Sequence, residues 1–91
     1  MARVKVRVLG TLGRAIGREE FELAIDPPEV AQVIHKLSEM LGRDEAPFDP
    51  ENPGAEALIL LNGVEIGNLE GLRTPVDDGD VMVILPVAHG G

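Results

Sequence analysis

The chain has 91 residues, 44% of them apolar, and a formal charge of −8. That length holds one domain with a single modest core. Having no cysteine, it has no disulfide, thiolate zinc site or cysteine nucleophile, and its acidity argues against a phosphate-neutralising, nucleic-acid-binding face.

The apolar residues are nearly all aliphatic, with two Phe and no Trp or Tyr, so stability must come from aliphatic packing. An acidic surface of this kind suits a protein that meets basic partner surfaces. Met1-Ala2-Arg3-Val4-Lys5 lacks the apolar stretch of a signal peptide, and no apolar run approaches the span of a bilayer. The expectation is a cytoplasmic protein with no membrane and no nucleic-acid partner.

Residues 3–9 alternate, with Val4, Val6 and Val8 on one face and Arg3, Lys5 and Arg7 on the other, which predicts a half-buried strand. Gly10, Gly13 and Gly17 punctuate a loop over Thr11–Gly17, with room for one helical turn. Residues 20–25 alternate again, with Phe21, Leu23 and Ile25 inward, so the two strands read as a β-hairpin. Asp26-Pro27-Pro28-Glu29 reads as a helix start in which Asp26 caps, a proline fills the first turn and Glu29 completes a capping box. Val30, Val33, Ile34, Leu37, Met40 and Leu41 then form one apolar helical stripe, stopped by Gly42. His35 sits at the border of that stripe with no second ligand in view, and is read as a solvated helix histidine.

Residues 43–56 hold three prolines and the acids Asp44, Glu45, Asp49, Glu51 and Glu56. Their spacing does not match the EF-hand pattern, so they read as a solvated acidic loop. The apolar run Ala57–Leu61 predicts a strand near the middle of the sheet. Asn62-Gly63 is a hairpin turn signal and Val64-Glu65-Ile66 a brief return strand. Residues 68–76 meander, Asp77-Asp78-Gly79-Asp80 makes a tight acidic turn, and Val81–Leu85 is the last strand.

The order β-β-α-β-β-β describes one α+β domain over residues 1–91, a mixed sheet with one main helix across one face. With the first and last strands paired parallel in the middle, this is the ubiquitin-like β-grasp roll. One helix covers one side of a sheet, yet both parities of the last strand are apolar. Met82 and Ile84 are expected inward, and Val83 and Leu85 outward with Leu9 beside them. An aliphatic cluster on an acidic surface is a docking candidate.

The last strand runs through Pro86 into Val87-Ala88-His89-Gly90-Gly91, read as a flexible tail. Residues 87–91 span roughly 17 Å when extended. Two glycines without Cβ pass a narrow channel in geometries that other residues avoid. By chance two terminal glycines arise in less than about 1% of chains. A terminal carboxylate is a poor electrophile and must be activated, most simply by attack on ATP. The chain carries no phosphate-binding loop, so a partner enzyme must do this.

The turn and strand Asp78-Gly79-Asp80-Val81-Met82-Val83-Ile84-Leu85-Pro86, the tail, and Leu12-Gly13-Arg14-Ala15-Ile16-Gly17 carry a resemblance over nearly the whole chain. The sequence resembles the ubiquitin-like sulfur carriers of the molybdopterin-synthase small-subunit and thiamin sulfur-carrier type, and the related ubiquitin-like modifiers. The molybdopterin branch usually ends Pro-Pro-Val-Ala-Gly-Gly. Here His89 precedes the glycines, as in the eukaryotic-type tRNA-thiolation carrier.

The resemblance implies a carrier rather than an enzyme, with no bound cofactor; ATP is used by its partner. An E1-like adenylating enzyme activates Gly91, and a sulfurtransferase or persulfide donor converts it to a thiocarboxylate. The sulfur then goes to a precursor, with molybdopterin the foremost product, a thiolated tRNA base and a thiazole the others, and the molybdopterin-synthase large subunit a further partner. In the alternative, Gly91 is joined to lysines of target proteins. Gly91 is then the reacting residue, and Gly90 is needed for passage. Leu9, Val83, Leu85, Pro86, Val87, Ala88 and His89 are the expected partner contacts. His89 is not assigned a catalytic role, although it is the side chain nearest the carboxylate. A β-grasp binding module with an incidental tail is the remaining reading. An independent enzyme is disfavoured, because no nucleophile–base pair or metal constellation is visible.

Overall fold

A computed structural model describes residues 1–10, 14, 17–41 and 57–86. Five strands, β1 (Ala2–Val8), β2 (Glu20–Ile25), β3 (Ala57–Leu61), β4 (Val64–Glu65) and β5 (Val81–Pro86), form one sheet, with helix α1 (Val30–Leu41) between β2 and β3. The strand order is β2-β1-β5-β3-β4. β1 and β5 run parallel through the middle, and every other neighbouring pair is antiparallel. This is the expected mixed sheet with one main helix.

The alternation in β1 survives intact. Val4, Val6 and Val8 are fully buried, and Arg3, Lys5 and Arg7 face solvent. On β2, Phe21 and Ile25 join them, while Leu23 between them is half-buried against the core. Helix α1 lays Val30, Val33, Ile34 and Leu37 onto this face, and Met82 and Ile84 of β5 meet them there as expected. Met40 departs from the expected stripe and is 47% exposed. At 100° per residue it lies roughly 90° from the axis shared by Val30, Ile34 and Leu37, on the flank of the helix. His35 is exposed, as a solvated helix histidine should be.

The helix start also differs from the sequence expectation. Helical structure begins at Val30, and residues 28–30 instead lie along residues 74–76. Val76 N donates to Pro28 O at 3.0 Å, Val30 N donates to Thr74 O at 2.9 Å, and Glu29 and Pro75 form an isolated bridge. The cause is local as well as long-range. A following proline biases both Asp26 and Pro27 away from helical geometry, so the helix can begin only beyond the pair. Thr74 is buried, yet its hydroxyl is satisfied: Oγ1 accepts from Glu70 N at 3.0 Å and donates to Gly71 O at 2.7 Å.

β3 lies one place off centre, with only the two-residue β4 beyond it. The expected place near the middle of the sheet holds. Ala57, Ile59 and Leu61 are buried, but Leu58 is 37% exposed. The return strand ends at Glu65, one residue early, because Ile66 turns into a short 3-10 segment over Ile66–Asn68, followed by another over Gly71–Arg73.

Two turns at one end of the sheet are bound together. Asn62 and Gly63 both have positive φ, 51° and 84°, as the tight hairpin requires. Asn62 Oδ1 accepts from Val81 N at 2.9 Å, and its Nδ2 donates to Asp80 Oδ1 at 3.0 Å. The clustered aspartates of the next turn are tolerated because their oxygens accept from N–H groups. Asp80 Oδ2 accepts from Asp77 N at 2.8 Å, and Asp78 Oδ1 accepts from Arg3 N at 2.7 Å. Asn62→Ala removes both side-chain bonds and leaves a β-carbon residue in the left-handed region. It should destabilise the domain by about 2 kcal/mol, read as a lower urea midpoint with an unchanged slope.

Candidate functional site

In-register partners on neighbouring strands point to the same side of a sheet. The register therefore assembles the face that α1 leaves open. Leu85 stands opposite Leu58, Val83 lies between Leu60 and Arg7, and Val81 is beside Lys5. Leu85 is 41% exposed, and Val83, Val81 and Leu60 are half-buried. Leu9 follows β1, with its N–H donating to Ile84 O at 3.0 Å, and its half-buried side chain continues the open-face parity next to Leu85. The outward placement expected for Val83, Leu85 and Leu9 holds.

Pro86 is different. It ends β5 opposite the buried Ala57, on the parity of Met82 and Ile84. It is half-buried at the strand end rather than part of the open apolar column. Gly90, Gly91, Val87, Ala88 and His89 lie outside the described residues, as do residues 42–56, which include the acidic loop, and most of the stretch around Leu12–Gly17.

Leu58 and Leu60 were not among the expected contacts. They extend the apolar column across β3, and their signal was present: the run Ala57–Leu61 is apolar on both parities, as β5 is. Beside this column runs a charged one. Arg3, Lys5 and Arg7 on β1 face Glu20 and Glu22 on β2, with contacts of 3.9 Å for Arg3–Glu22, 3.7 Å for Lys5–Glu20 and 3.4 Å for Arg7–Glu20. All are solvent-exposed, so they contribute little to stability.

Among the described residues no group of His, Asp and Glu is placed to hold a metal ion, and no helix is long and apolar enough to cross a membrane. What the geometry offers is a surface: an apolar column ending where β5 hands over to the last five residues.

Comparison with known proteins bears on the same region. The ThiS family model matches residues 6–91. No curated protein matches the chain. The solution structure of small archaeal modifier protein 1 from Methanosarcina acetivorans superposes with a TM-score of 0.82 at 31% identity, covering 100% of this chain and 98% of that one. Molybdopterin converting factor subunit 1 from Pyrococcus furiosus aligns with a TM-score of 0.76 at 19% identity, covering 97% of this chain and 100% of that one. A chain of the BexX/CysO complex of Amycolatopsis orientalis aligns with a TM-score of 0.72 at 24% identity, covering 97% and 99%. At those lower identities the second and third share the fold. With its family match running through β1, the helix, the open face and the tail, the chain belongs to the ThiS family of ubiquitin-like sulfur carriers.

Proposed function

We propose that this chain carries sulfur on its own C-terminal carboxylate. A partner enzyme of the E1-like class binds the open face and draws residues 87–91 into its site. The Gly91 carboxylate attacks the α-phosphate of ATP, releasing pyrophosphate and forming an acyl-adenylate. A persulfide donor then displaces AMP to give an acyl disulfide, and a second thiol attacks the donor-side sulfur of its S–S bond, leaving a disulfide on the donor side and releasing the terminus as a thiocarboxylate. The thiocarboxylate sulfur goes to an organic precursor, and the proposed acceptor is that of molybdopterin. The proposed setting is the cytoplasm, where ATP is at hand for the partner enzyme. The chain acts as co-substrate and binds no cofactor itself.

One observation carries the reading: the family match extends to Gly91, and the apolar column ends where that tail begins. A carrier needs both features, because a tail enters a closed site productively only when the body behind it is held. The fold shared with molybdopterin converting factor subunit 1 supports the proposed acceptor. A second reading draws on the 31% identity to a small archaeal modifier protein. In it the same activated Gly91 forms an amide with a lysine of another protein.

Intact mass of the protein purified from its own cells tests the carrier role. A sulfur-for-oxygen gain at the terminus supports it. A carboxylate that stays unmodified while the activating enzyme and sulfur donor are active overturns it, and a Gly-Gly remnant on lysines of other proteins supports the modifier. The docking surface has its own test. Leu85→Glu should leave thermal stability within about 1 kcal/mol, since the site is exposed, yet raise the KM of the activating enzyme for the carrier at least about tenfold.

A further inference from the structure

The open face carries a charge pattern as well as an apolar column. Three of the chain's eight Lys and Arg residues, Arg3, Lys5 and Arg7, stand in one line on β1, directly beside Val81 and Val83. Among the described residues, the strand paired to their column sets two carboxylates, Glu20 and Glu22, against its three cations, although the whole chain carries a charge of −8. Positive charge is therefore gathered beside the surface where a partner has apolar side chains to meet.

The ion pairs along this column are loose. At 3.4 to 3.9 Å they are longer than a well-formed charge-assisted hydrogen bond, which is about 2.7–2.9 Å. One carboxylate, Glu20, is shared between Lys5 and Arg7. Lys5 and Arg3 also border a surface depression of about 640 Å³, with Val81, Ala24 and Gly79 beside them. The carboxylate of Asp78 at its rim is already engaged by Arg3 N. An acidic side chain with an aliphatic stem fits this setting: the stem meets Val81 and Ala24, and the carboxylate meets Lys5 and Arg3.

We propose that the Arg3–Lys5–Arg7 column recognises carboxylates on the partner that activates the tail, and that Glu20 occupies their place while the partner is absent. The proposal rests on the carrier reading and deepens it by giving the partner's docking surface a chemistry: an apolar strip bordered by acidic side chains on the β1 side. Exchanging one carboxylate for another leaves Lys5 and Arg7 paired, so the swap loses little and shortens the contacts. It also sets orientation. A partner that meets the apolar column the wrong way round places its acids against Glu65, which lies opposite Leu60 on the far side.

The test uses the full-length chain with the purified adenylating enzyme from the same cells, following ATP–pyrophosphate exchange. Lys5→Gln with Arg7→Gln should raise KM for the carrier about tenfold with kcat within about twofold, and charge reversal to Glu should raise it further. Glu20→Gln should move the other way, lowering KM about threefold, because it removes the internal competitor. The neutral pair keeps the test valid if the reversed pair unfolds beside Glu20 and Glu22. A KM unchanged by the neutral pair, or a Glu20→Gln chain that binds more weakly, overturns the proposal and leaves the carrier reading standing. An enzyme that fails to exchange with the wild-type chain overturns the carrier reading and the proposal with it.

Discussion

Truncating Ile84 to alanine should destabilise the domain by about 3–4 kcal/mol, and Tm should fall by about 15 °C or more. Ile84 is fully buried at the centre of the five-stranded sheet, opposite Val8 on one side and Ile59 on the other. The parallel β1–β5 pairing and the antiparallel β3–β5 pairing both pass through it. Its side chain also faces the layer formed by Val33, Ile34 and Leu37 of α1. The cavity left by truncation is walled by two strands and a helix, none of which can close it alone. Against a total stability of about 5–10 kcal/mol for a chain this size, the loss is a large fraction. The neighbouring Leu85→Ala, at an exposed position, should cost less than about 1 kcal/mol. Urea unfolding of the two variants gives a direct contrast between the faces of β5. Equal losses would mean that the face assigned as open is covered.

That contrast within one strand marks how far the sequence could be read. Period-two alternation settled β1, because Val4, Val6 and Val8 have no apolar competitor on the other parity. In β5 both parities are apolar, and the inward set followed only from the need for one face to meet the helix. In β3 the same ambiguity leaves the inward set open. An apolar run is compatible with burial on both faces or with one face kept for a partner, and local sequence does not separate them. The separation comes from the layers: Ala57, Ile59 and Leu61 share the core with the helix, and among the described residues Leu58 on the opposite face is left 37% exposed.

The start of α1 failed for a related reason. Asp26-Pro27-Pro28-Glu29 has the letters of a cap, but its backbone is committed to residues 74–76, more than forty positions away. Long-range pairing of that kind leaves no local trace. The charged column was legible as exposed residues from the outset. Its position beside the apolar column required the register of β1 against β5, which only the fold supplies.

Deleting Gly91 should lower sulfur transfer by at least about a hundredfold while leaving the folded body unchanged. The deletion is informative because it preserves the chemistry. The new terminus, on Gly90, is still a glycine carboxylate with the same nucleophilicity toward ATP. What changes is reach, by one residue, or about 3.5 Å. In-line attack on a phosphorus tolerates much less than that, since an error of about 1 Å already costs on the order of a hundredfold. The buried core runs from Ala2 to Ile84, so Tm should move by no more than about 1 °C. Adding one alanine after Gly91 should be equally damaging, because it overshoots by the same length and brings a Cβ into the channel. The two changes together separate positioning from recognition of the body. Each variant should still compete with the wild-type chain for the activating enzyme, since the open face is intact. Full partner function in the chain lacking Gly91 would mean that the tail is incidental and that the open face alone is the functional element.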